Sequence, residues 1–236
     1  MQSEQFKCDP VDFVAQQGGS YAFKLGIDLD DLKPTEIYKW FFAALLYGAR
    51  ISEKIATYTW QVFNKHTVMS PEKIISTGWD GLVVLLDEGG YVRYDFKTAT
   101  KLLSVNQTLL NDYAGNLNLL HAAAEDAHDL ERRLRMLGKG IGIVTAHIFL
   151  REMRGLWPKA MPPLSPLAFQ AAKALGYLPK NIVSEAQALS LLQQLWLEYK
   201  QKAEQFSHFE SALVRYGLHL RHQRKRTFHK PRFSIR

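Results

Sequence analysis

Cysteine is almost absent from this chain, and that scarcity excludes two kinds of structure. Cys8 is the only cysteine among 236 residues. No disulfide can therefore form within the chain, and no metal or iron–sulfur cluster can be held by four of its own cysteines. Chains that do not depend on disulfides are typical of the cytosol, where thiols stay reduced. We expect an intracellular, cytoplasmic protein.

Long apolar runs are also missing. The most apolar stretch, residues 41–47, is far shorter than the roughly 20 residues of a membrane span. The N-terminus has neither a basic start nor the apolar stretch of a signal peptide, so we expect no membrane association. No segment shows the sustained period-two alternation of half-buried strands. With 47% hydrophobic residues, the sequence predicts an all-α protein with a sizeable core.

Acidic residues are missing from the C-terminal end. The net charge is +7, from 30 Lys and Arg against 23 Asp and Glu. Residues 221–236 contain seven basic and no acidic residues, so the rest of the chain is balanced. This basic tail favours a polyanionic partner at that end, with Arg224, Lys225 and Arg226 as candidate contacts. A soluble, disordered tail without a partner is the alternative.

Two helices separated by a glycine turn are predicted in the second half of the chain. Leu130, Leu134 and Leu137 are spaced four and three apart, as on one face of a helix. The next five residues, 138–142, include three glycines, which permit positive φ and a tight reversal. A second helix is expected to begin at about Ile143. The pattern predicts a helix, a glycine hairpin and a helix.

Such a hairpin has a chemical use. Glycine lets the backbone approach a ligand closely, and the first amides of the following helix have no partner within that helix. These amides can bind a phosphate oxygen, helped by the positive end of the helix dipole. An ordinary turn between two helices with a glycine C-cap explains the spacing equally well. Spacing alone leaves both interpretations open.

Residues 140–146, Gly-Ile-Gly-Ile-Val-Thr-Ala, resemble the helix-hairpin-helix motif of the endonuclease III group of DNA glycosylases. The family pattern is Leu-Pro-Gly-Val-Gly-Arg-Lys-Thr-Ala. Both glycines, the threonine and the alanine match, whereas Lys139 replaces the proline. Weaker similarities follow in the family's order over about residues 35–220, at residues 44–52, 70–72, 90–91, 97–99, 168–176 and 209–217.

The resemblance implies two helical lobes with DNA across the cleft. Residues 1–34, in which we see no clear helix, would pack on the C-terminal lobe. The other predicted parts are a helical lobe (35–129), the helix-hairpin-helix (130–154), the remaining C-terminal helices (155–220) and the basic tail (221–236).

The resemblance also implies the DNA contacts. Those in the hairpin are Lys139, Gly140, Ile141, Gly142, Ile143 and Thr145. Arg50 occupies the position from which family members insert a polar side chain into the base stack, and Arg151 is a plausible phosphate contact. For both arginines the alternative is a solvated surface charge. Family hairpins commonly hold a monovalent cation, and we expect no other cofactor.

The residues that would carry the chemistry depart from the family pattern. Bifunctional members use a lysine at the position of Val144, and such a lysine must be desolvated to act as a nucleophile. Valine excludes lyase chemistry by that route. Monofunctional members use an aspartate whose position here is Ser165, and serine supplies no anionic charge. Ser165 and Glu152 are the candidates for a displaced catalytic group, with Asp126 and Asp129 also near in sequence.

Three hypotheses follow. The first is a DNA-binding protein of the base-excision glycosylase fold that engages duplex or damaged DNA through the hairpin and tail. The second is an active DNA glycosylase with a relocated catalytic acid. The third is an unrelated helical scaffold whose tail binds acidic partners. We favour the first, which is compatible with a nucleoid-associated location, and leave catalysis and oligomeric state open.

Overall fold

The computed structural model describes residues 8–202 and 205–228, with side chains described as far as residue 223. Helices form all of the regular secondary structure in these ranges, apart from an isolated bridge between Arg154 and Trp157. The all-α prediction is therefore confirmed. None of the described helices has both the length and the apolar character that crossing a membrane requires.

Twelve helices are present in the described ranges. They are α1 (Pro10–Gln17), α2 (Tyr21–Lys24), α3 (Pro34–Tyr47), α4 (Glu53–Lys65), α5 (Pro71–Glu88), α6 (Asp95–Tyr113), α7 (Leu117–Ala123), α8 (Ala127–Met136), α9 (Ile143–Met153), α10 (Pro166–Leu175), α11 (Glu185–Glu198) and α12 (Phe206–Phe228).

The helices group into two compact units. The central unit comprises residues 25–162 and contains α3 to α9. The terminal unit joins the N-terminal segment up to Lys24 to the chain after Pro162, and it contains α1, α2 and α10 to α12. The glycine hairpin between α8 and α9 belongs to the central unit.

Local sequence signals set several helix starts. Ser52, Ser70 and Ser184 each occupy an N-cap, and each hydroxyl accepts from the backbone amide three residues later, at 3.2, 3.3 and 3.4 Å. Because a serine oxygen satisfies an amide that the helix leaves unpaired, these residues fix where α4, α5 and α11 begin. Serine is thus the N-cap at all three helix starts.

The core of the central unit is built around α3. Trp40 is fully buried and its indole Nε1 donates to the carbonyl oxygen of Phe149 at 3.0 Å. Phe41 packs edge-on against the ring of Phe149, with centroids 5.4 Å apart. The buried Tyr38 hydroxyl donates to Asn106 Oδ1 on α6 at 2.6 Å. The first two contacts hold α9, the second helix of the hairpin, against α3, and the third holds α6 there.

The terminal unit is organised around α12. A Cβ on Gly217 would lie 2.4 Å from the carbonyl oxygen of Leu167, so glycine permits the close approach of α12 and α10. Arg215 donates through Nη1 to the carbonyl oxygens of Gln17 and Gly19, at 2.8 and 2.7 Å. This arginine therefore ties the end of α1 to α12.

Two expectations about the ends of the chain need correction. Residues 1–33 gave no clear helical pattern, yet α1 is present and Asp9 Oδ1 caps it by accepting from Val11 N at 2.7 Å. The last helix was expected to end at Leu220 but runs to Phe228, because residues 221–228 contain neither glycine nor proline. The side chains of Arg224, Lys225 and Arg226 and all of residues 229–236 lie outside the described residues.

Candidate nucleic-acid interface

The hairpin between α8 and α9 folds as the glycine spacing predicts. Gly140 has φ 98°, a conformation that residues with a side chain rarely adopt. A Cβ on Gly138 would lie 2.6 Å from Val105 Cγ2, so this glycine brings the turn close to α6. Ile141 is buried and anchors the loop between them. The chain thus reverses tightly, with Lys139 and Gly140 exposed at its tip.

The start of α9 is uncapped and open. Gly142 occupies the N-cap without any side-chain hydrogen bond, and the bond that opens the helix runs from Ala146 N to Gly142 O at 3.1 Å. The amides of Ile143 and Val144 precede that bond, and their side chains are 48% and 61% exposed. A Cβ on Gly142 would meet nothing within 4 Å. Such an end can bind an anion through its free amides.

The loop between α3 and α4 lies beside this helix start. A Cβ on Gly48 would fall 2.0 Å from Thr145 Oγ1, so the loop contacts α9 directly. Thr145 is buried at this contact, although the sequence suggested that it faces a phosphate. Arg50, two residues after Gly48, is exposed. The structure therefore brings the Arg50 loop and the hairpin together in the central unit.

Lys101 on α6 lies beneath the hairpin and was not identified from the sequence. Its Cδ lies 3.2 Å from where a Cβ on Gly140 would be, and its Nζ donates to the carbonyl oxygen of Leu45 on α3 at 3.1 Å. Burial, with a smaller contribution from the charge of Lys97, lowers the pKa of Lys101 to about 8. Its flanking residues give no sign that the amine is buried.

The charged residues near the end of α9 are buried. Arg151 is 6% exposed and Glu152 is 1% exposed. Arg154 is also buried, and its Nη2 donates to the carbonyl oxygen of Pro162 at 2.6 Å. A phosphate contact requires an exposed guanidinium, so burial corrects the prediction for Arg151. The physical reason is that α9 packs on both α3 and α8, which leaves it little solvated surface.

Two of the candidate catalytic residues, Ser165 and Asp129, take part in contacts that stabilise the fold. Ser165 is the N-cap of α10, and its hydroxyl accepts from Ala168 N at 3.1 Å. Hydrogen bonds, foremost from Arg133 Nε at 2.6 Å, hold the pKa of Asp129 well below its usual range, and Arg132 also pairs with it. A carboxylate so firmly ionised is a poor general acid. Catalytic roles for Ser165 and Glu152 stay predictions.

Metal-binding clusters are absent from the part of the chain that the structure describes. Within those ranges no three His, Cys, Asp or Glu side chains lie together so that they could hold a metal ion.

The first half of the basic tail lies on a helix, because α12 extends to Phe228. The last described side chains of this helix, at residues 221–223, are exposed.

Comparisons with known proteins connect this geometry to a fold. No protein-family model matches the sequence, and no curated protein matches it. A trapped endonuclease III–DNA covalent intermediate (an estranged-adenine complex) aligns over 89% of this chain and 84% of its own, with 14% identity and a TM-score of 0.47. The 3-methyladenine DNA glycosylase (MagIII) of H. pylori, bound to 1,N6-ethenoadenine, aligns over 91% of this chain and 99% of its own. Its identity is 11% and its TM-score is 0.55.

Proposed function

The chain has the all-helical fold of the helix-hairpin-helix DNA glycosylases, and we propose that it binds the sugar–phosphate backbone of duplex or damaged DNA through its glycine hairpin. The observation that carries the proposal is the uncapped start of α9, where Gly142 leaves the amides of Ile143 and Val144 beside open space. The basic end of α12 is the proposed second contact.

The chemistry of this helix start suits a phosphate. The amides of Ile143 and Val144 lie at the positive end of the helix dipole, where an anionic oxygen is stabilised. Gly142 has no Cβ that would keep a ligand away from them. Lys139, exposed in the preceding turn, adds a positive charge, and Arg50 lies on the neighbouring loop. Contacts of this kind position a duplex without reading its sequence.

Binding is the part of the family's function that this site supports. Val144 replaces the nucleophilic lysine, Ser165 caps α10, and Asp129 is held in ion pairs. The resemblance implies a monovalent cation at the hairpin, and backbone carbonyl oxygens are hard ligands suited to one, so we include such a cation in the proposal. We therefore expect that replacing K⁺ by Li⁺ at constant ionic strength weakens DNA binding.

The test is a binding assay with a labelled duplex, followed by fluorescence anisotropy between about 50 mM and about 200 mM salt. We expect affinity to fall as salt rises, because released counterions drive phosphate binding. Gly142→Asp should weaken binding by about tenfold or more, since its carboxylate caps the amides and repels phosphate. Its thermal stability should equal or exceed that of the original protein.

Ser190→Asp is the matched control. It adds the same charge at an exposed position of α11, in the terminal unit. Equal affinity of the original protein, Gly142→Asp and Ser190→Asp would overturn the proposal.

A parallel panel of duplexes is assayed separately for base release. One of them carries 1,N6-ethenoadenine, because MagIII is bound to that base. Release that disappears in Glu152→Gln would establish the alternative, a glycosylase with a displaced acid.

A further inference from the structure

Lys101 occupies an unusual position for a lysine. Leu45 O, near the end of α3, is not used by the following turn, because Ala49 N donates to Leu46 O at 3.1 Å instead. Lys101 Nζ satisfies this carbonyl, reaching across from α6. A cation at a helix C-terminus is electrostatically favourable, since the last carbonyls carry the negative end of the dipole.

The same side chain also supports the hairpin. The methylene groups of Lys101 lie against Gly140, whose φ of 98° makes the reversal possible. Its ammonium ends at α3, immediately before the loop in which Gly48 contacts Thr145. One lysine therefore touches the hairpin at one end and the helix that leads to the Arg50 loop at the other.

A partly buried ammonium whose partner is a neutral carbonyl carries a desolvation cost. Within the described residues, no carboxylate forms an ion pair with Lys101. Burial favours its neutral form. A methionine or leucine would fill similar space without that cost. The charge therefore points to a role other than stability.

We propose that Lys101 is a positioning residue of the DNA interface. It holds the hairpin and the Arg50 loop at the relative position in which one duplex can contact both of them. This inference rests on the proposed function, because it assigns no role to Lys101 unless the hairpin binds a backbone. Lys101 itself need not touch DNA.

The charged groups near Lys101 must be known before a change of DNA affinity with pH can be assigned to this lysine. Lys97, one turn earlier on α6, is the charge that acts on it. The neighbouring hairpin contributes Lys139, the loop contributes Arg50, and Glu53 begins α4; all three are exposed. Burial lowers the pKa of Lys101 to about 8. Loss of this proton favours the folded state as a whole, but it removes the cation from the carbonyl oxygen of Leu45 and so weakens the link between α3 and the hairpin.

The experiment measures duplex affinity from about pH 6.5 to about pH 9.5 for the original protein, Lys101→Met, Lys101→Arg and Lys73→Met. Lys73→Met is the control, because it removes one exposed lysine from α5 in the same unit. We expect Lys101→Met to bind about fivefold more weakly at neutral pH, Lys101→Arg to retain most affinity, and Lys73→Met to change little. Affinity of the original protein should fall above pH 8, and that of Lys101→Met should stay flat.

The outcomes separate the two proposals. If Gly142→Asp loses binding but Lys101→Met keeps both the affinity and the pH profile of the original protein, the role of Lys101 is overturned and the proposed function stands. If the original protein binds no duplex even at low salt, both are overturned. Should Lys101→Met fail to fold, the original protein's own profile decides: constant affinity between about pH 7 and about pH 9 overturns the inference.

Discussion

Gly48 and Thr145 approach so closely that no side chain fits between them. A Cβ on Gly48 would lie 2.0 Å from Thr145 Oγ1 and 2.9 Å from Thr145 Cβ. Rotation about χ1 moves Oγ1 but leaves Cβ where it is, so a rotamer change cannot remove the whole overlap. The contact therefore sets how near the Arg50 loop comes to the start of α9.

Gly48→Ala should destabilise the protein, because the loop or α9 must shift to accept the methyl group. We expect a loss of about 1–3 kcal/mol in the free energy of unfolding, measured by urea denaturation. Thr145→Gly removes the opposing atoms, so the double variant should be more stable than the sum of the two single changes predicts. Strict additivity would show that the two residues do not oppose each other.

The two exposed hairpin glycines should respond differently to alanine. Gly140→Ala places a residue with a side chain at φ 98°, and its methyl group would lie 3.2 Å from Lys101 Cδ. We expect it to lower the free energy of unfolding by about 1–2 kcal/mol. Gly142→Ala, at φ −86° with open space around it, should change stability by less than about 0.5 kcal/mol. Comparable losses at both positions, measured by thermal melting, would contradict this geometry.

The stability of the protein should depend on pH through Lys101. Its pKa falls from 10.5 to about 8 on folding, so between these values the unfolded chain binds more protons than the folded one. Stability should therefore rise as pH increases from about 8 toward 10.5. Thermal melts across this range should show the rise in the original protein, and Lys101→Met should lose it. An equal rise in both proteins would assign it to other groups.

Acid should destabilise the first hairpin helix through Asp129. Its pKa is lowered by hydrogen bonds, the largest contribution coming from Arg133, so its ionised form is favoured by folding. That stability is present above the ordinary value of 3.8 and is lost as pH falls below it toward the lower folded pKa. Asp129→Asn should lower the melting temperature at neutral pH and flatten the acid limb. Asp112→Asn, at an exposed position on α6, is the control.

Lys159 should stabilise the end of α7. Its Nζ donates to the carbonyl oxygens of His121 and Ala124, at 3.0 and 2.5 Å. It thereby adds to the backbone bond from Ala124 N to His121 O that closes the helix. Lys159→Met should lower the free energy of unfolding by about 1–2 kcal/mol. Hydrogen exchange should show faster opening of α7 in this variant. Unchanged protection there would contradict a capping role.

The sequence predicted best what depends on neighbours along the chain. The glycine turn and the start of α9 at Ile143 follow from spacings of a few residues, and both were located correctly. The α1 helix could have been found in the same way, since Asp9-Pro10 is a start signal and Gly18 has the left-handed conformation of a C-cap.

The sequence failed where distant segments decide. Arg151 and Glu152 look like surface charges on a helix, and only the packing of α9 on α3 and α8 buries them. The residues next to Lys101 in α6 do not distinguish it from other lysines. Its contacts are with Leu45 and Gly140, which lie 56 and 39 residues away in the chain. No periodicity within α6 indicates these contacts.

The extension of α12 to Phe228 changes the physical character of the cationic end. From Gly217 to Phe228 the axis advances about 16 Å, the length of about five phosphate steps along one DNA strand. The backbone of such a helix is already ordered before any encounter, whereas a loose segment loses backbone freedom when it settles on a polyanion. The tail's contribution should therefore be sensitive to Gln223→Pro, which breaks the helix inside the basic stretch while every lysine and arginine is kept.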